Sequence, residues 1–212
     1  MTDEQLSSLL DSTAELVKAV HAHVATLSPA VTARAWIAFQ AGLLSLEHGT
    51  AAFALSQQKF LPSAFTLMRP QYECLVRGVW LFHAASETWV AKLGEPLSVQ
   101  SGKRANEGPM LAEMLKELEA APDAPKAIVA QLKEFRDVAW KAMSSYNHGG
   151  IHPLSRVLTG YPPRLAYDAV RNSNAVLALS TQLVSIATGD PKSMAPVRQL
   201  HVTYADCLPI LS

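Results

Sequence analysis

The sequence predicts an all-α protein: a helical bundle of about six to seven helices, with long central helices in second and third place. Three observations carry this. Apolar residues recur at three- and four-residue steps along most of the chain, prolines and glycines punctuate those runs, and no alternating strand pattern competes with them. With 212 residues, one continuous core is the economical reading, so residues 1–212 are expected to form a single helical domain.

The first helix is carried by Leu6, Leu9, Leu10, Thr13, Leu16, Val17, Val20, Val24 and Leu27, with Thr2 placed to cap its first turn. Ser28-Pro29 offers an N-cap and a first-turn proline, so the second helix is expected to open there and run to about Lys59. Its segment from Trp36 to Leu55 is apolar on most faces and reads as a central, buried helix. Pro62-Ser63 restarts the chain into a third helix reaching Leu93, with Pro70 inside it. Residues 94–108, holding Pro96, Gly102, Lys103 and Arg104, lack an apolar period and read as a mobile loop. A short helix from Met110 to Ala120 follows, then a longer one from Pro125 to about Tyr146, ended by Asn147-His148-Gly149-Gly150. A sixth helix begins after Pro162-Pro163 and extends to Thr188, and Ala195 to Cys207 makes a weaker seventh.

Hydrophobic residues form 49% of the chain and charged residues 17%, which argues against disorder and for extensive apolar burial, an oligomer interface included. Lysine plus arginine and aspartate plus glutamate balance at 18 each. Without a global basic field, nonspecific binding to RNA or DNA has no electrostatic support. Cys74 and Cys207 stand far apart and unpaired in spacing, as reduced packing residues of a cytoplasmic protein do. The N-terminus lacks the basic head and apolar run of a signal peptide. Glu47 and His48 interrupt the most apolar stretch, so a membrane span is not expected.

The third helix contains the most informative pattern. Arg69, Glu73, Arg77 and Trp80 fall within an arc of about 80°, so Glu73 has an arginine one turn away on each side. The pattern fits a structural ion triad that registers packed helices. It also fits a site in which one carboxylate serves two guanidiniums and leaves a cationic fork for an anionic ligand or an RNA phosphate. The second cluster, Tyr146-Asn147-His148-Gly149-Gly150-Ile151-His152-Pro153, brings backbone amides and an imidazole to one corner, either as a site or as a glycine C-cap.

Arg69-Pro70-Gln71-Tyr72-Glu73, Arg77-Gly78-Val79-Trp80-Leu81, Trp140 and Asn147-His148-Gly149-Gly150 resemble the hallmark blocks of a bacterial all-helical family, a domain of unknown function, over roughly residues 60 to 180. The resemblance marks positions without assigning roles: Arg69, Tyr72, Glu73, Arg77, Trp80, Asn147 and His148 become the candidate ligand-binding set.

Three functions follow from these residues. The leading one is a non-catalytic bundle that binds a ligand or another protein, without a cofactor and as a homodimer, because abundant apolar surface on the second, third and sixth helices suits self-association. The second is a metal-independent ribonuclease like the HEPN superfamily, with His83 in proton transfer and Arg77 stabilising charge; on an ideal helix those two side chains diverge by about 120°. The third is a metal-dependent bundle like the DinB superfamily, with His48, His148 and His152 as ligands; Gly149, Gly150 and Pro153 argue against one helix through the last pair. His21 and His23 read as solvated surface residues.

Overall fold

The computed structural model describes residues 1–104 and 108–209. Its elements are α1 (Asp3–Val24), α2 (Ala33–Gln57), α3 (Leu61–His83), α4 (Glu87–Leu93), α5 (Val99–Lys103), α6 (Leu111–Ala120), α7 (Lys126–Asn147), α8 (Ile151–Arg156), α9 (Pro163–Ile186) and α10 (Met194–Thr203). Short 3-10 turns occupy Pro191–Ser193 and Ala205–Cys207. Among the described residues all regular structure is helical, and the protein is all-α, with more and shorter elements than the sequence predicts.

Helices α2, α3 and α9 form the centre of the bundle. Small residues let their backbones approach closely. A Cβ on Gly42 would lie 2.6 Å from Val184 Cγ1, and one on Gly78 would lie 2.5 Å from Leu183 Cδ2 and 3.3 Å from the Ala38 carbonyl oxygen. Between the three helices runs a buried, satisfied polar layer. Gln71 Nε2 donates to the Ser173 carbonyl at 2.9 Å, Ser173 Oγ returns a bond to Gln71 Oε1 at 2.8 Å, and Ser45 Oγ donates to the Gln71 carbonyl at 2.7 Å. Such a layer fixes helix register, since a slip would orphan several buried polar groups together. α6 and α7 pack on one side of α3, and α1 packs on α9.

Several boundaries differ from the sequence reading. α2 opens at Ala33, where Thr32 Oγ1 accepts from the Ala35 amide at 3.1 Å, not at Ser28-Pro29. Before it the Ala30 amide donates to the Ala187 carbonyl at 2.9 Å, docking the connection on the end of α9, and the Thr32 amide turns back to the Ala30 carbonyl at 2.8 Å. The third helix stops at His83 instead of Leu93, and Ser86 starts α4 as a separate element. The segment read as a mobile loop contains α5, with Ser98 as its cap; residues 105–107 of that expectation lie outside the described residues. α3 continues through Pro70, whose missing amide leaves the Thr66 carbonyl without its helical donor. Short α8 follows the glycine corner.

α2 is central but not fully covered: Trp36, Leu43 and Leu44 are 55%, 38% and 45% exposed along its outer face. His23 is half-buried, with Nε2 2.9 Å from Ser185 Oγ, and His21 Nε2 lies 2.9 Å from Thr50 Oγ1, so both are anchored side chains and not merely solvated ones. Cys74 and Cys207 are free thiols, half-buried and buried. Among the described residues no helix is long and apolar enough to cross a membrane.

Candidate functional site on the α3 and α7 face

The charged arc of α3 is divided among neighbours by the helices packed against it. Arg69 meets α7. Its Nε donates to Glu73 Oε1 at 2.9 Å, its guanidinium carbon sits 4.5 Å from the centre of the Trp140 ring, and its Nη1 lies 3.1 Å from His148 Nε2 and 3.5 Å from Ser144 Oγ. A guanidinium has only donors, so His148 Nε2 is the acceptor in this contact. Arg69 is thus held by a carboxylate, an aromatic face and an imidazole together.

Glu73 is therefore not shared between two arginines. Its ion pair is with Arg69, and Arg77, half-buried one turn further on, makes no ion pair or hydrogen bond with any described residue. The Arg77 Nη1 faces Gly108, where a Cβ would come within 3.4 Å of it. A side chain at position 108 would come into van der Waals contact with the guanidinium. Beside it, burial pushes the Cys74 thiol up to about 11, with Arg77 acting the other way and Glu73 adding to the rise. That environment favours the thiol over the thiolate.

Two residues of the candidate set belong to the core. Trp80 is fully buried, its indole N–H donating to Glu117 Oε2 at 2.7 Å and its ring edge-on to Trp89. It lies in the predicted arc, but α6 covers that end of α3. Tyr72 is also fully buried; its hydroxyl donates to the Leu132 carbonyl at 2.6 Å, and burial raises its pKa well above the ordinary phenol value. Asn147 is exposed at the end of α7, and its side chain makes no hydrogen bond with a described residue.

The glycine corner is built as a reversal. Gly149 takes a left-handed φ of +61°, a conformation glycine adopts without Cβ strain. A Cβ on Gly150 would lie 2.6 Å from Ser145 Oγ and 3.3 Å from the Ser145 backbone. His148 turns to Arg69 before the reversal, while His152 comes after it, exposed and packed 6.1 Å from the Tyr146 ring centre. His48 sits half-buried on α2. Among the described residues no three His, Cys, Asp or Glu side chains gather as metal ligands, so the structure does not unite His48, His148 and His152.

Arg77 and His83 likewise have different surroundings. Arg77 faces Gly108. His83 lies edge-on to Phe82 at the end of α3, its pKa lowered chiefly by burial, with Asp123 opposing that shift and Arg34 adding to it.

Sequence reasoning missed the role of Ser144. Trp140, Ser144 and His148 recur at four-residue steps, one face of one helix, and that spacing is the signal by which an Arg69 cradle could have been found. It also missed Gly108 and Arg34, whose partners are distant in the chain.

These features define an all-helical protein with an arginine-centred face between α3 and α7. The chain belongs to DUF6988, a family of unknown function, whose model matches residues 42–210, from the middle of α2 to the C-terminal segment. No curated protein and no solved structure matches the chain.

Proposed function

We propose that this protein is a non-catalytic binding module that captures a small anionic ligand through Arg77, working as a cytoplasmic homodimer in which the whole chain acts as one helical domain. The observation that carries the reading is the asymmetry of the charge arc: Glu73 is paired with Arg69 at 2.9 Å, and Arg77 is left half-buried beside Gly108. A guanidinium in that position offers two parallel N–H donors to a carboxylate or phosphate. Arg69, fixed by Glu73, Trp140 and His148, positions the helix face and is not itself the open cation.

The exposed Trp36, Leu43 and Leu44 on α2 support the dimer, since a helix apolar on nearly all faces ordinarily finds cover on each of them. Two distant free thiols fit a reducing compartment. Ribonuclease chemistry through Arg77 and His83 has less support, because their surroundings differ.

The test is equilibrium dialysis or calorimetry of the full chain with inorganic phosphate, phosphate monoesters and dicarboxylates. Saturable binding is expected, weakened at least about tenfold in Arg77→Met, the loss of one charge-assisted pair. Failure of every anion to bind a folded wild-type chain, or equal binding by Arg77→Met, sinks the reading. Tighter binding of a single-stranded RNA than of its mononucleotides would redirect it towards RNA.

A further inference from the structure

A second site lies between α3, α7, α9 and the C-terminal segment, where a cavity of about 240 Å³ opens. Leu75, Phe135, Val176 and Leu179 supply its apolar walls. The ring of Tyr72 adds to them, tilted against Phe135 at 4.8 Å between centres, with its hydroxyl already engaged by Leu132. Besides the carboxylate of Glu134, three polar side chains line the space: Gln131, Asn172 and His201. All three are partly buried, and none of their side chains makes a hydrogen bond with a described residue. Partly buried amides and an imidazole without partners, brought together at an apolar cavity, are the usual composition of a small-molecule site.

The cavity is a built feature of the fold. Arg171 donates to the Leu208 carbonyl and Asn174 Nδ2 donates to the Cys207 carbonyl at 3.1 Å, tying the C-terminal segment onto α9 so that Leu208 and Pro209 form one wall. Its chemistry selects against charge. No lysine or arginine is among its described lining residues, and its carboxylate, Glu134, stands at the exposed rim. Burial also lowers the pKa of His201, which favours the neutral imidazole.

We infer that this cavity binds an uncharged, largely apolar molecule carrying one hydroxyl or carbonyl group, which Asn172, Gln131 and His201 hydrogen-bond while its ring or chain lies between Phe135 and Leu179. Scaled from the cavity of about 150 Å³ that holds benzene, the space suits about ten non-hydrogen atoms. The site is separate from the Arg77 face, and the two prefer opposite ligand charge.

Calorimetric titration of the full chain with 1-naphthol, and with 1-naphthoate as its charged counterpart, tests this. Saturable one-to-one binding of 1-naphthol is expected with Kd on the order of 10–100 µM, a moderate efficiency for a ligand of this size. Binding of 1-naphthoate should be at least about tenfold weaker, because its carboxylate would lose its hydration without meeting a cation. Leu179→Trp fills the space and should abolish binding; if that chain fails to fold by circular dichroism, Ala175→Leu serves instead. Asn172→Ala and His201→Ala should each weaken binding about fivefold, the loss of one hydrogen bond. Arg77→Met should leave it unchanged, which separates this site from the anion site. Absence of 1-naphthol binding at about 1 mM to the folded wild-type chain, or undiminished binding by a folded filled variant, overturns the proposal. Equal affinity for 1-naphthoate overturns the selection for an uncharged ligand.

Discussion

Arg34, near the start of α2, reaches the last turn of α3 and donates from Nη1 to the Leu81 carbonyl at 2.6 Å. Its Nη2 reaches the Ala85 carbonyl at 2.8 Å and the Glu87 carboxylate. One planar guanidinium thus satisfies carbonyls that the helix end leaves without donors and fixes the break between α3 and α4. Replacing it with alanine should lower stability by about 2 kcal/mol, the scale of a charge-assisted bond to buried acceptors. Lysine should recover less than half, because one ammonium cannot reproduce the fork. Urea unfolding measures this, and an unchanged midpoint in Arg34→Ala would show that the cap contributes nothing.

The stacking of Arg69 on Trp140 predicts a measurable coupling. In a double-mutant cycle of Arg69→Met and Trp140→Leu, the interaction energy should be about 0.5–2 kcal/mol in favour of the native pair. In Trp140→Leu the His148 ring resonances should also shift, because Arg69 touches both side chains. Additive single mutants would mean that the two residues are merely adjacent.

Burial lowers the pKa values of His23, His83 and His201 from 6.5. The unfolded chain therefore binds more protons than the folded one below that pH. The stability these groups contribute is complete above 6.5 and is lost as the pH falls through their lowered folded values. The urea midpoint should thus be lower at about pH 5.5 than at about pH 7.5, and the difference should shrink in His23→Asn and in His201→Asn. A midpoint that holds steady or rises on acidification would contradict the assignment.

The uncovered face of α2 predicts self-association. Native mass spectrometry of the wild-type chain should return a dimer, and Trp36→Glu with Leu43→Glu should return a monomer with an unaltered helical spectrum, because both side chains are already exposed within one chain. A wild-type chain that is monomeric at about 50 µM would remove the dimer from the reading.

What was legible in the sequence was what depends on neighbours in the chain. Thr2 is expected to cap the first turn and does, accepting from the Gln5 amide at 3.3 Å, and the structure adds the reciprocal bond from the Thr2 amide to the Gln5 side chain. The Arg69–Glu73 pair follows from helical spacing. Distant partners were hidden. The cap at Ser28-Pro29 loses to Thr32 because Ala187, far along the chain, takes the Ala30 amide. Trp80 has the same angular position as the arginines, and only the arrival of Glu117 from α6 makes it a core residue. The end of the third helix was half-legible: Ser86 followed by Glu87 is a helix start that could have been read, whereas the Arg34 donor that closes α3 could not.

The contact at Gly78 has a kinetic consequence. Because α3 is seated against α2 and α9 at the residue following Arg77, the backbone beneath that guanidinium has almost no freedom to shift on binding. An anion arriving there meets a receptor already in its final shape, so association should follow a single exponential whose rate rises linearly with ligand concentration, with no slow rearrangement behind it.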